Sequence, residues 1–177
     1  MPAVLQHETV TLVTRTGRQV TIRPCTPADA PLIAAMYAQL SPRTLFLRYC
    51  SHRHVSGEEE AARLCGADPQ DLAVLLALSE GEVVGIAELG RIRGDCGEAA
   101  IVVRDDCQGQ GIGTALGREL ISVAREMGIH RLQAYMLAEN HAMRRLIAKL
   151  PFRRTWEYGC GELCVTLEID APAEAPV

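Results

Sequence analysis

Gln108-Gly109-Gln110-Gly111-Ile112-Gly113-Thr114 stands between two apolar segments of different period. The one before it, Ala99–Arg104, reads as a strand. The one after it, Thr114–Met127, carries Leu116, Leu120, Val123 and Met127 at helical spacing and stops at Gly128. A glycine-rich turn between strand and helix aims successive backbone N–H groups at one point, where the helix dipole also favours negative charge. Glycines admit an anion to the backbone without Cβ clashes. A phosphate or pyrophosphate suits such a turn, and a tight turn made only for packing is the alternative.

Two phosphate-binding motifs do not match. A Walker loop needs Gly-Lys followed by Ser or Thr, and the turn has no lysine. A dinucleotide fingerprint needs Gly-x-Gly-x-x-Gly near the start of a parallel α/β unit. Here Gly113 follows Gly109-x-Gly111 one residue too early, and three antiparallel-looking strands precede it.

Those three strands are Leu72–Ser79, Val83–Ile92 and Ala99–Arg104, joined by turns at Glu80-Gly81 and Arg93-Gly94-Asp95. Leu72–Ser79 is almost unbroken apolar sequence, as a strand covered on both faces should be. Further upstream, Thr9–Val13 and Gln19–Arg23 form a hairpin through Gly17. A helix opens at Thr26-Pro27 and runs through Leu32, Ile33, Met36, Tyr37 and Leu40. Ser41-Pro42 starts a second helix through Tyr49, and Ser56-Gly57-Glu58-Glu59 reads as the capping box of a third, toward Leu64. Glu58, Glu59 and Glu60 suit the positive end of that helix, or an acidic lip for a basic substrate. Downstream, Arg131–Leu137 completes a strand–helix–strand unit, so its strand should run parallel to Ala99–Arg104. Asn140–Leu150 is a helix stopped by Pro151, and Phe152–Glu157 and Leu163–Ile169 are the last strands. The expected organisation is one α+β domain over residues 1–170, with 171–177 as a tail.

The composition narrows the function. With 48% apolar residues the 177-residue chain can bury a core. No apolar run approaches the ~20 residues of a membrane span, and no signal peptide is apparent. The net charge of −4 argues against a nucleic-acid binder held by phosphate contacts. Of 18 basic residues only Lys149 is lysine, for which codon bias is the simplest reading. The seven cysteines are odd in number and include no Cys-x-x-Cys pair. Buried free thiols in a reducing cytoplasm are therefore expected, with neither disulfides nor a metal site. Cys160-x3-Cys164 and Cys50-Ser51-His52-Arg53-His54 come nearest to a metal motif, and each lacks a second half.

Gln108-x-x-Gly111-x-Gly113 resembles the acetyl-CoA signature, Arg/Gln-x-x-Gly-x-Gly/Ala, of the GNAT N-acetyltransferase superfamily. The similarity extends to Thr21-Ile22-Arg23-Pro24 with Thr26-Pro27-Ala28-Asp29, and to Ala138-Glu139-Asn140 with Ala142-Met143. Leu40–Tyr49 is similar to the acetyltransferase domain of bacterial Pat-type protein lysine acetyltransferases. That subfamily often adds a second domain, for which 177 residues leave no room. The resemblance implies a mixed, mostly antiparallel sheet flanked by helices, with a splayed parallel strand pair that binds acetyl-CoA. It implies that backbone groups of Ile101, Val102 and Val103 pair with the pantetheine arm. The N–H groups of Gln108, Gly109, Gln110, Gly111, Ile112, Gly113 and Thr114 would hold the pyrophosphate, and Asn140 would sit near the thioester. Arg144 and Arg145 are near enough on their helix to reach phosphates, or are simply solvated.

The implied reaction is direct attack of a primary amine on the acetyl carbonyl, with a protein lysine as acceptor. A small-molecule amine, or an idle acyl-CoA-binding sensor, are the alternatives. A lysine amine, with an unperturbed pKa of about 10.4, must lose a proton first. Glu98, ten residues ahead of Gln108, is the expected base, and a solvated glutamate beside Gly97 is the other reading. Glu88 is the second candidate, or a charge-satisfied sheet residue. Many GNAT enzymes place a tyrosine where this chain has Ile147, so the usual acid for the thiolate is missing. Tyr135 could substitute, or pack within its strand. Pro151 replaces a common glycine. Monomer and homodimer stay equally open.

Overall fold

In the computed structural model the described residues are 7–172. The amino-terminal hairpin is β1 (Val10–Val13) and β2 (Gln19–Pro24), with Val10 opposite Ile22. A short 3-10 turn, Pro27–Asp29, leads into α1 (Ala30–Tyr37); α2 (Pro42–Tyr49) and α3 (Gly57–Gly66) follow. The meander is β3 (Leu72–Ser79), β4 (Glu82–Arg93) and β5 (Cys96–Val103). After the glycine-rich turn come α4 (Ile112–Glu126), β6 (Arg131–Leu137), α5 (His141–Ala148), β7 (Phe152–Gly159) and β8 (Glu162–Pro172).

The eight strands form one sheet in the order β1-β2-β3-β4-β5-β6-β8-β7. Every neighbouring pair is antiparallel except β5 and β6, the pair flanking α4. Strand β3 shows why its sequence is continuously apolar, since alternate side chains enter two cores. Leu75 and Ala77 join Leu116, Leu120 and Val123 of α4 on one face; Val74 and Leu76 join Ile33, Met36 and Leu64 of α1 and α3 on the other. Each such large side chain contributes roughly 1.5–3 kcal/mol by burial.

The parallel pairing is short. Cys96, Gly97 and Glu98 face Arg131, Leu132 and Gln133, and there the ladder ends. Strand β5 continues along β4 to Val103, and β6 continues along β8 to Leu137, so the two diverge.

Several boundaries differ from those expected. Helix α4 begins at Ile112, because Gly111 already serves as its N-cap. The turn at Gly94 is tight enough for β5 to start at Cys96. Strand β8 extends to Pro172 into the expected tail, whose remainder, 173–177, lies outside the described residues. The cysteines are free, but only Cys107 is buried; Cys160 is exposed in the β7–β8 turn, at φ +54°.

Candidate active site

A cavity of about 930 Å³ opens where β5 and β6 part. Its walls include Ile101, Val102 and Val103 of β5, Ala134, Tyr135 and Met136 of β6, and the start of α4. Because no ladder joins the strands here, their facing edges present backbone groups to the gap.

At one end stands the glycine-rich turn. Gly109 and Gly111 have φ of +72° and +96°, a left-handed conformation that side chains resist. The α4 ladder begins with Ala115 N–H donating to the Gly111 carbonyl, so the N–H groups of Ile112, Gly113 and Thr114 lie ahead of it. A Cβ on Gly113 would come within 3.2 Å of Leu146 Cδ1, so a glycine there lets α4 approach α5. The turn is therefore a cradle of amides with positive dipole behind it, fit for a pyrophosphate.

The expected cofactor residues are not equally placed. Gln108, Gly109, Gly111, Ile112, Gly113 and Thr114 line the cavity, as does Asn140. Gln110 does not: its Nε2 donates to the Asp106 carbonyl, and its Oε1 accepts from Thr16. Gln108 Nε2 donates to Val103 O at 2.9 Å and Thr44 Oγ1 at 3.2 Å, so it ties the turn to β5 and α2. Asn140 is nearly buried, and its Oδ1 accepts from Met143 N–H at 3.1 Å as the cap of α5. Arg145 lines the cavity, while Arg144 bonds the Ala138 carbonyl.

Residues without a local sequence signal complete the cradle. Arg15, in the β1–β2 turn, reaches 94 positions along the chain to donate to the Gly109 carbonyl at 2.7 Å. Asp105 accepts from Ser41 N–H, Ser41 Oγ and Thr44 Oγ1, clamping the start of α2 beside the turn. Burial pushes the Asp105 carboxyl up, but these hydrogen bonds outweigh it and hold the group below its usual range.

A smaller cavity, of about 440 Å³, lies on the α2–α3 face of the sheet. It shares Arg48, Tyr49, Glu98 and Ala100 with the larger one, so the two cavities meet beside Glu98. Glu98 is opposite Gly90 and Ala100 is opposite Glu88, which puts both candidate bases on one face, two residues apart. Glu88 is buried and committed: Oε1 accepts from Arg48 at 2.6 Å and Oε2 from Arg63 at 2.7 Å. Burial works against the Arg48 charge, and Glu88 more than offsets it. The exposed Glu98 carboxylate has no such partner among the described residues.

The acetyltransferase (GNAT) domain family matches residues 19–153.

The chain belongs to the GNAT acetyltransferases.

An acetyltransferase of Pseudomonas aeruginosa is 33% identical over 142 residues, covering 77% of this chain and 76% of that protein. The acetyltransferase Pat of Mycolicibacterium smegmatis is 31% identical over 140 residues, and the match spans 77% of this chain but only 42% of Pat. Among solved structures, the GNAT domain of Streptomyces lividans PAT superposes with a TM-score of 0.80 at 26% identity, covering 89% of this chain and 95% of that one. The Salmonella typhimurium protein yncA, solved with its cofactor acetyl-CoA, shares the fold with a TM-score of 0.69 at 24% identity, covering 88% and 99%. The chain is thus a GNAT N-acetyltransferase. Acetyl-CoA is its co-substrate, and the cradle described above fits the pyrophosphate. Among the described residues no cluster of three or more His, Cys, Asp or Glu side chains could hold a metal. No helix among them is long and apolar enough to cross a membrane.

Proposed function

We propose that this GNAT enzyme acetylates a primary amine, with a protein lysine as acceptor, and that Glu98 is the general base. The observation that carries the reading is the junction of the two cavities beside Glu98. The larger cavity takes acetyl-CoA, with Ile101, Val102 and Val103 along its arm and the turn from Gln108 to Thr114 at its pyrophosphate. The smaller admits the amine from the opposite side. Glu98 accepts the ammonium proton, directly or through a water, and the freed nitrogen forms the C–N bond as the C–S bond breaks. The leaving thiolate, whose conjugate thiol has a pKa of about 8.5, departs without a strong acid. Ile147 is buried and supplies none, whereas Tyr135 is 47% exposed and lines the larger cavity, where its hydroxyl gives a proton to the thiolate and its phenolate takes the second proton from the newly acylated nitrogen. Asn140 holds the first turn of α5 at the cavity wall. Glu88, with both oxygens on guanidiniums, fixes Arg48 and Arg63 rather than taking a proton.

A protein acceptor is in keeping with the likeness of Leu40–Tyr49 to Pat-type protein lysine acetyltransferases and with the acceptor printed for another neighbour, the ribosomal-protein-alanine N-acetyltransferase of Brucella melitensis, with a TM-score of 0.67 at 29% identity, although that acceptor is an alanine. The test is Glu98→Gln, followed by thiol release from acetyl-CoA across an amine and peptide panel. The expected result is a fall in kcat of about 10²–10⁴ with acetyl-CoA affinity kept and the alkaline-rising limb of the pH profile altered. An unchanged rate and pH profile would remove Glu98 from the role. Tight acetyl-CoA binding without turnover on any acceptor would instead favour a sensor module.

A further inference from the structure

The smaller cavity is walled by four arginines, Arg48, Arg53, Arg63 and Arg91, against three carboxylates, Glu60, Glu88 and Glu98. With Glu98 reserved for the amine, two carboxylates remain. Glu88 is shared by Arg48 and Arg63, and Glu60 by Arg63 and Arg53. Arg91 lines the cavity only with its stem, since its guanidinium is held by the carbonyls of Gly94 and of Met127 at the end of α4, on the other face of the sheet. Arg53 is half exposed, its guanidinium 4.2 Å from the Tyr49 ring centroid. Arg48 Nε is buried with no hydrogen-bond partner. Beyond Glu98 the wall thus sets three guanidiniums against two carboxylates, a surplus of one positive charge, and an amine that brings its own carboxylate meets planar donors suited to it.

We infer that the acceptor carries a carboxylate beside its amine, held by the arginine wall while the amine faces Glu98. This rests on the acetyl-transfer reading and narrows its substrate class. Glu88, itself held by Arg48 and Arg63, is the diagonal neighbour of Glu98 on the adjacent strand, roughly 7–8 Å away, so an acceptor carboxylate that reaches those guanidiniums lies at about that distance or more from the amine. A few methylenes span that gap. The carboxylate belongs either to a free amino acid or to an acidic side chain next to a lysine.

Matched acceptors separate these cases. The free pair is 6-aminohexanoate against hexylamine; the peptide pair is a blocked Glu-Lys peptide against its Gln-Lys counterpart. The carboxylated member of one pair should show at least about tenfold higher kcat/KM, and the pair that does so identifies the source. Arg53→Gln should reduce that preference severalfold with the acetyl-CoA KM unchanged, and Arg53→Lys should restore part of it. Equal rates within both pairs, or preference for the uncharged member, would overturn the inference. Calorimetric binding of 6-aminohexanoate and hexylamine to the CoA-loaded protein keeps the two readings apart. Tighter binding of the carboxylated amine, in this pair or in the peptide pair, with no turnover on any acceptor would defeat acetyl transfer and uphold the pocket; equal binding within both pairs would defeat the pocket.

Discussion

Two glutamates on one sheet face illustrate how partners decide a residue's work. Glu88 and Glu98 both stand on strands among small or apolar neighbours, and each is a plausible base by sequence alone. Arg48 and Arg63, which take up Glu88, lie 40 and 25 positions away, and no local pattern links them to it. Asp29 is a third committed acid. Its hydrogen bonds from Arg23, strengthened by Thr26, hold its carboxyl down to about 2 despite burial. Because the folded value lies below the unfolded one, near 4, the ionised pair stabilises the fold above that unfolded value. The contribution fades as pH falls through about 2. Asp29→Asn should therefore cost roughly 2 kcal/mol at neutral pH and flatten the loss of stability between about pH 4 and 2. Urea unfolding of both proteins across that range measures it.

At the scale of the element, the glycine-rich turn was legible because backbone conformation leaves its mark on local composition. Gly109 and Gly111 take φ values that only glycine adopts freely, and α4 follows at once with a clear apolar stripe. Gly111→Val should strain the turn by about 1–3 kcal/mol and lower acetyl-CoA affinity at least about tenfold. Equilibrium binding beside a melting curve separates the two effects, and retained affinity would contradict the assignment of the turn. Helix α2 was legible only as a helix. Its task comes from partners far away: Asp105 and Gln108 grip its first turn, and its last turn sends Arg48 to Glu88. The helix thus runs from the cofactor turn to the acceptor wall, an arrangement that no spacing within Pro42–Tyr49 reveals.

For the whole molecule, the meander β3–β5 was readable from turn lengths and the parallel pair β5–β6 from the crossover through α4, whereas nothing in the sequence placed β8 between β6 and β7. The position at which β5 and β6 separate was not, since it depends on packing between faces rather than on either strand. Mechanically, the sheet is two panels, β1 to β5 and β6 with β8 and β7, sewn together by three residue pairs. An acyl-CoA arm lying in the open part of that seam would add the missing stitches. Those amides of β5 and β6 beyond Glu98 and Gln133 that face the seam should exchange hydrogen quickly in the free protein and slow when acetyl-CoA is added, while those facing β4 and β8 stay protected in both states. At acetyl-CoA about a hundredfold above its Kd, the whole fold should gain roughly 2.7 kcal/mol. Seam amides protected equally in both states would mean that the panels are already joined without the arm. If they are not, the substrate is itself a structural member of the sheet, and losing the product means losing a strand's worth of closure along the seam.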